Sequence, residues 1–262
     1  LRWLLAQRRM YSRAKRWNYI RVFGIGIIAL GAPIITVITP HVAEIVGAIA
    51  GAWVFLARTI FLAGERRWAR PAASVQDAFD TYVFDLPANV AVSPKPERIA
   101  DTLRDDDVEQ YARNEHLLDW YSLESDLPLA PAIAISQQSN FAYSQRLLRR
   151  HADIWLGIGV AWGIIAVAIG IAFQLTLAQF LMGVVLPVLP AVLDARELWH
   201  SARSAADDRS RLSDVLADRI RAWPSHNIGF EDLRNWQDQL FTLRRDGPLV
   251  PDFAGQQHLA VE

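Results

Sequence analysis

From Ile154 to Leu193 the chain contains no Asp, Glu, Lys or Arg, a stretch about twice the ~20 residues that one helix needs to cross the hydrocarbon core of a bilayer. It must therefore turn back once. The turn is predicted at Gln174 to Gln179, where Gln174, Thr176 and Gln179 interrupt the aliphatic pattern, leaving spans near 154–173 and 177–193. Pro187 and Pro190 predict a kink toward the end of the fourth span. A similar pair precedes it: Val22 to Thr39 carries no charge, and after Pro40 and His41 a second apolar stretch runs from Val42 to Leu62, interrupted by Glu44 and Arg58. Buried helices of a soluble protein would show a polar stripe, and these stretches have none. A secretory signal peptide would explain a basic start before one apolar run, but not the second run that follows at once.

The overall composition agrees, with 52% hydrophobic residues and a mean hydropathy of +0.12. Charge is strongly segregated: residues 1–43 hold seven Arg or Lys and no Asp or Glu, whereas 101–126 is acidic. Arg13, Lys15, Arg16 and Arg21 precede span one; Arg66, Arg67 and Arg70 follow span two. Arg146, Arg149 and Arg150 precede span three; Arg196 and Arg203 follow span four. Cytoplasmic flanks are enriched in Lys and Arg, so all four flanks and both termini are expected inside the cell. The expected organisation is an N-terminal amphipathic helix at 1–21, a first transmembrane hairpin at 22–64, a cytoplasmic domain at 65–153, a second hairpin at 154–193 and C-terminal cytoplasmic helices at 194–262. In fold class this is an all-α membrane protein with four transmembrane helices as two hairpins.

Gly47 and Gly51 form a GxxxG on span two, and Gly159 and Gly163 form another on span three. Small faces let helix backbones approach closely, so these four glycines are candidate packing positions. In residues 1–17 the apolar Trp3, Leu4, Met10 and Tyr11 alternate with six basic residues, suiting a helix on anionic headgroups or one packed on the cytoplasmic domain. Further helices are predicted from Ala73 to Val83, from Thr102 through Val108 and Tyr111, from Ala132 into span three, and past span four to about Trp223. A last helix runs from Glu231 and Asp232 to Arg244 and Arg245, stopped by Gly247-Pro248, and the final residues read as loosely ordered.

Catalytic patterns are sparse. With no cysteine, thiolate metal sites and Cys nucleophiles are excluded, and the six histidines are scattered without ligand spacing. Asp77 and Asp80 stand one helical turn apart near Asp85, a pair that could hold Mg²⁺ but more commonly marks a solvated helix face. Neither a metal site nor a cofactor is expected, and the chain does not read as an enzyme.

Several segments, namely LAQRRMYSRAKR, VQDAFDTYVFDLPAN, DWYSLESDLPLAPAIAISQQSNFAYSQRLLRR and WQDQLFTLRRDGPLVPD, resemble the SMODS-associated four-transmembrane effector family of cyclic-oligonucleotide antiphage signalling. Ala88 and Ser136-Gln137-Gln138 depart from the pattern, which often has Trp and Cys-Gln-Arg there. The resemblance implies a bacterial inner-membrane effector that binds a cyclic di- or oligonucleotide, works as a homo-oligomer in the lipid bilayer and permeabilises it, with no DNA or RNA partner. Candidate ligand contacts are Tyr82, Asn89, Trp120, Tyr121, Gln137, Asn140, Arg146 and Arg244, for stacking and for phosphate. The alternatives are a small constitutive channel or transporter, or a membrane scaffold without a pore.

Overall fold

The computed structural model describes residues 1–88, 108–114, 121, 127–223 and 225–250. Among these the chain is helical and contains no strand. Eight α-helices are defined: α1 (Arg2–Ile38), α2 (Ala43–Leu56), α3 (Leu62–Val83), α4 (Val108–Asn114), α5 (Leu129–Ala172), α6 (Leu177–Phe180), α7 (Leu186–Arg221) and α8 (Phe230–Asp246). Three stretches, Arg2–Ile35, Glu44–Val83 and Leu129–Ala172, are long and apolar enough to cross a membrane. Counted as one span, the bent pair Leu177–Val185 and Val188–Arg221, angled by 58°, gives a fourth.

The bends have chemical causes. Proline cannot donate an amide bond and its ring crowds the preceding turn. Ahead of Pro187 the helix widens into a π turn, Leu181–Val185, closed by the Leu186 amide bonding to Leu181 O. A second π turn, Ala57–Phe61, joins α2 to α3, with the Leu62 amide on Ala57 O. The sequence suggested a separate helix starting at Ala73. Instead α3 begins at Leu62 and carries Pro71 within it.

The chain separates into two compact units. The membrane unit holds Lys15–Glu65 and Leu148–Arg203. Its first hairpin turns through a short 3₁₀ segment at Pro40–Val42, which spares Pro40 an amide it does not have. The second turns at Gln174, whose φ of 49° is left-handed. There Thr176 opens α6 with a capping box: Thr176 N donates to Gln179 Oε1 at 2.9 Å, and Gln179 N donates back to Thr176 Oγ1 at 3.4 Å. The polar interruptions in the sequence are thus the cap itself. Phe23, Ile27, Ile49, Phe55, Ile164 and Ile171 stand exposed on this unit, as lipid-facing side chains do.

Close approach in the membrane unit falls on glycines outside the GxxxG pairs. A Cβ at Gly24 would lie 1.8 Å from the Trp53 ring, one at Gly64 2.7 Å from Trp17, and one at Gly170 3.0 Å from Phe180. Trp53 and Trp17 both pack against Phe61, with ring centroids 5.3 and 6.0 Å away. Near the start of α3, Asn18 donates to Glu65 at 3.1 Å. Arg58, in the π turn, reaches Asp194 at 2.9 Å and Glu197 at 2.7 Å, clasping the second and fourth spans together.

The polar unit comprises Leu1–Ala14, Arg66–Leu147 and Ser204–Leu249. Its main core joins Phe84 and Leu86 after α3, Ile133 and Phe141 of α5, Leu216 of α7, and Leu233, Trp236 and Leu240 of α8. Each such side chain, once buried, contributes about 1.5–3 kcal/mol relative to exposure in water. The first turns of α1 join a satellite core: Leu4 and Leu5 meet Ala112 of α4, while Ala6 and Met10 meet Ala72 and Val75 of α3. The N-terminal helix therefore spends its apolar side on protein rather than on headgroups. The guanidinium of Arg13 lies 4.7 Å over the Trp68 ring, completing that attachment.

Candidate functional site

At the centre of the polar unit, α3, α5 and α8 converge on a buried hydrogen-bonded network. Asp80 is 0% exposed and Asp77 2%. This corrects the expectation of a solvated acidic face: Asp77 and Asp80 share a stripe with Ala73 and Phe84, all buried, at helical spacing. Asp80 Oδ2 accepts from Arg244 Nη1 at 2.5 Å and from Gln237 Nε2 at 3.2 Å, and its Oδ1 accepts from the Tyr121 hydroxyl at 2.6 Å. Asn140 Nδ2 donates to that hydroxyl at 3.0 Å. Gln237 Nε2 also donates to Asp77 Oδ1 at 3.0 Å, while Gln237 Oε1 accepts from Gln137 Nε2 at 3.2 Å. Gln137 donates as well to the backbone oxygen of Leu233 at 3.0 Å, leaving its own Oε1 buried without a donor.

Arg234 closes one side. It approaches Asp77 at 3.5 Å, bonds Asp238 at 2.6 Å, and donates to Thr81 Oγ1 and to Pro87 O at 3.0 Å each. The chain turns sharply there, with Asp85 at a left-handed φ of 50°. Tyr121 stacks on Phe79 and tilts against Phe84, at centroid distances of 6.4 and 4.8 Å.

The electrostatics follow from burial. Burial alone would depress the Arg244 guanidinium, but Asp80 more than offsets this and holds it above its ordinary value. Burial, with the nearby Asp80 charge, raises the Tyr121 phenol, which stays a neutral donor. Asp77 is raised, chiefly by burial, against the pull of Gln237 and Arg234. Arg209 is lowered to about 10 by burial and by Arg244. Burial pushes Tyr11 up to about 12, with Arg244 and Arg209 acting in the opposite sense.

Four of the candidate contacts, Tyr121, Gln137, Asn140 and Arg244, are thus brought together in one network. Tyr82 is 77% exposed, edge-on to Trp3 at 5.7 Å, and takes no part in it. Arg146 is exposed on α5 and likewise outside the network. Asn89 and Trp120 lie outside the described residues, as do the predicted start at Thr102 and the tail from 251. At Gly47, Gly51, Gly159 and Gly163 an added Cβ would meet nothing within 4 Å, so within one chain these faces are open.

Sequence reasoning missed Asp77, Asp80, Gln237 and Arg209 as members of this region. A signal existed: Gln237 sits in the stripe Leu233, Trp236, Leu240, Phe241, and Gln137 falls between Ile133 and Phe141. A polar residue at a core register announces a buried partner. No group of three or more potential ligands that could hold a metal occurs among the described residues.

A family model described as the SMODS-associating 4TM effector domain matches residues 1–254 of the chain. Neither a curated protein nor a solved structure matches it.

Proposed function

The chain belongs to the SMODS-associating 4TM effector domain family, and from that premise we propose that it is a dormant effector of the bacterial inner membrane, switched on by a cyclic di- or oligonucleotide. In this reading the polar unit is the cytoplasmic sensor, and both termini lie on the same side. The observation that carries it is the buried network: Tyr121, Gln137, Asn140 and Arg244, from separate parts of the sequence, meet around Asp80. Such a network combines an arginine, an aromatic hydroxyl and side-chain amides, which are the groups that recognise phosphates and base edges.

Ligand binding moves an equilibrium only as far as it prefers one state over the other. Here the internal carboxylate of Asp80 occupies the guanidinium that a phosphate would take. Exchange of one anion for the other therefore has a direct route to α3, the helix that carries Asp80 and follows the π turn at Arg58. The open faces at Gly47, Gly51, Gly159 and Gly163 supply surfaces on which copies of the chain assemble, and the assembled spans permeabilise the bilayer.

The test is dye release from liposomes carrying the full chain, with and without a panel of cyclic di- and trinucleotides. Release confined to one or a few nucleotides is the expected result. Absence of release under every nucleotide, from protein shown to be inserted, refutes the proposal.

A further inference from the structure

Among the described residues, a strong charge beside this network has no counter-ion. Arg209 on α7 is only 4% exposed. Its Nη1 donates to Ala205 O at 2.9 Å and its Nη2 to Leu243 O at 2.7 Å, and its Nε–H is sealed from solvent with no acceptor. Among the described residues no carboxylate forms an ion pair with it. The adjacent Asp208 acts on it only through space, since that carboxylate is bound by Arg211. Backbone carbonyls satisfy hydrogen bonds but not charge, and burying a cation without an anion is strongly unfavourable.

Two further observations say what the place is shaped for. Leu243, whose carbonyl Arg209 holds, is followed directly by Arg244, whose charge acts on Arg209 through space, so two guanidinium groups belong to one neighbourhood. Gly247 lies against the first of them: a Cβ there would stand 2.4 Å from Leu243 O, the carbonyl that Arg209 holds, and 3.0 Å from Nη2 and 3.7 Å from Nη1 of Arg209. The chain thus covers this guanidinium with the one residue that has no side chain.

We infer that Arg209, together with Arg244, forms a binding site for the phosphate group of a water-soluble anion, a free phosphate or a nucleotide phosphodiester. The anion takes the unfilled Nε–H of Arg209, neutralises its charge, and competes with Asp80 for Arg244. Arginine suits this role because its planar fork can hold two oxygens of one phosphate. The inference rests on reading the polar unit as the nucleotide sensor, and it adds Arg209, which that reading does not require. The competing account is structural: Arg209 is a staple on the last turn of α8, where a cation complements the helix dipole.

The experiment is thermal unfolding of the detergent-purified full chain, titrated with inorganic phosphate, with cyclic di-AMP and cyclic di-GMP, and separately with phosphatidylglycerol bicelles, ionic strength being held constant with chloride. The midpoint of the native chain is expected to rise with phosphate or with a cyclic dinucleotide. Arg209→Gln is expected to weaken that titration at least tenfold, Arg209→Lys to weaken it less, and Arg221→Gln, at an exposed surface arginine, to leave it unchanged. If Arg209→Gln is too unstable to purify, Arg209→Lys carries the comparison.

A staple predicts a lower starting midpoint with an unaltered phosphate increment, and that result overturns the inference. Stabilisation by anionic lipid alone, or by no anion, overturns it equally. Should nucleotides never release dye while phosphate still titrates through Arg209, the sensor reading falls and the site stands. Nucleotide-gated release that Arg209→Gln leaves intact removes the site and keeps the sensor.

Discussion

Replacing Asp80 with alanine removes the acceptor for three donors at once: Arg244 at 2.5 Å, Tyr121 at 2.6 Å and Gln237 at 3.2 Å. The largest loss is at Arg244, a buried guanidinium that would then lack its anion. Breaking one side of such a pair costs about 3–5 kcal/mol. The Tyr121 hydroxyl, left without an acceptor, adds about 1–3 kcal/mol. At ~2–4 °C per kcal/mol for a chain of this size class, the unfolding midpoint should fall by on the order of 10 °C or more. The second arm of the experiment is Arg244→Met alone and the Asp80→Ala/Arg244→Met double variant, in which both charges leave together. Replacing a whole buried pair is often nearly neutral, so the double variant should be more stable than either single one. Differential scanning fluorimetry on detergent-purified protein reads all four members of the cycle. Additive losses, or a loss below about 1 kcal/mol for Asp80→Ala, would show that the pair does not hold the polar unit together.

Four other outcomes follow from the same geometry. Gly24→Ala, which drives a methyl into the Trp53 ring, should destabilise the first hairpin by about 1–3 kcal/mol, whereas Gly47→Leu with Gly51→Leu, which meets open space, should leave insertion and stability intact yet abolish dye release; retained release would show that those faces are irrelevant to activity. Arg58→Glu should loosen the second span from the fourth, and Asp194→Arg in the same chain should restore the midpoint partly, because each residue then meets an opposite charge; no recovery means the clasp is incidental. Burial raises Asp77 above the ordinary 3.8, so the folded state holds that proton to higher pH than the unfolded state does, and this group adds stability as pH falls from neutral toward about 3.8. Asp77→Asn should flatten that part of the pH–stability curve and be neutral or stabilising at pH 7; an unchanged curve refutes the assignment.

The membrane spans were legible because lipid imposes a simple rule: every backbone amide is satisfied within a helix, and long uncharged runs are the result. The turn at Gln174–Gln179 was visible because Thr176 and Gln179 are the residues of a capping box. What stayed hidden depends on which residue faces which. Asp77 and Asp80 look like any acidic helix face until Arg244 and Gln237, from the far end of the sequence, are placed against them. Glycines showed a similar split: spacing singled out Gly47, Gly51, Gly159 and Gly163, whereas tight contact within the chain falls on Gly24 and Gly64, which follow no repeat and are identified only by the tryptophans they admit. The apolar spacing from Ala73 to Val83 marks only the later part of α3, which begins at Leu62 and accommodates Pro71.

The burial of Leu4, Leu5, Ala6 and Met10 against α3 and α4 has a consequence for biogenesis. The ribosome makes those residues well before Trp68, Ala72, Val75, Phe79, Val108 and Ala112, which cover them in these two clusters, and both spans of the first hairpin lie in between. Until that hairpin has been threaded through the translocon, the oily side of the leading helix must stay wet or borrow another shelter. Correct placement of the first hairpin is therefore a checkpoint that the polar unit has to pass before it can close.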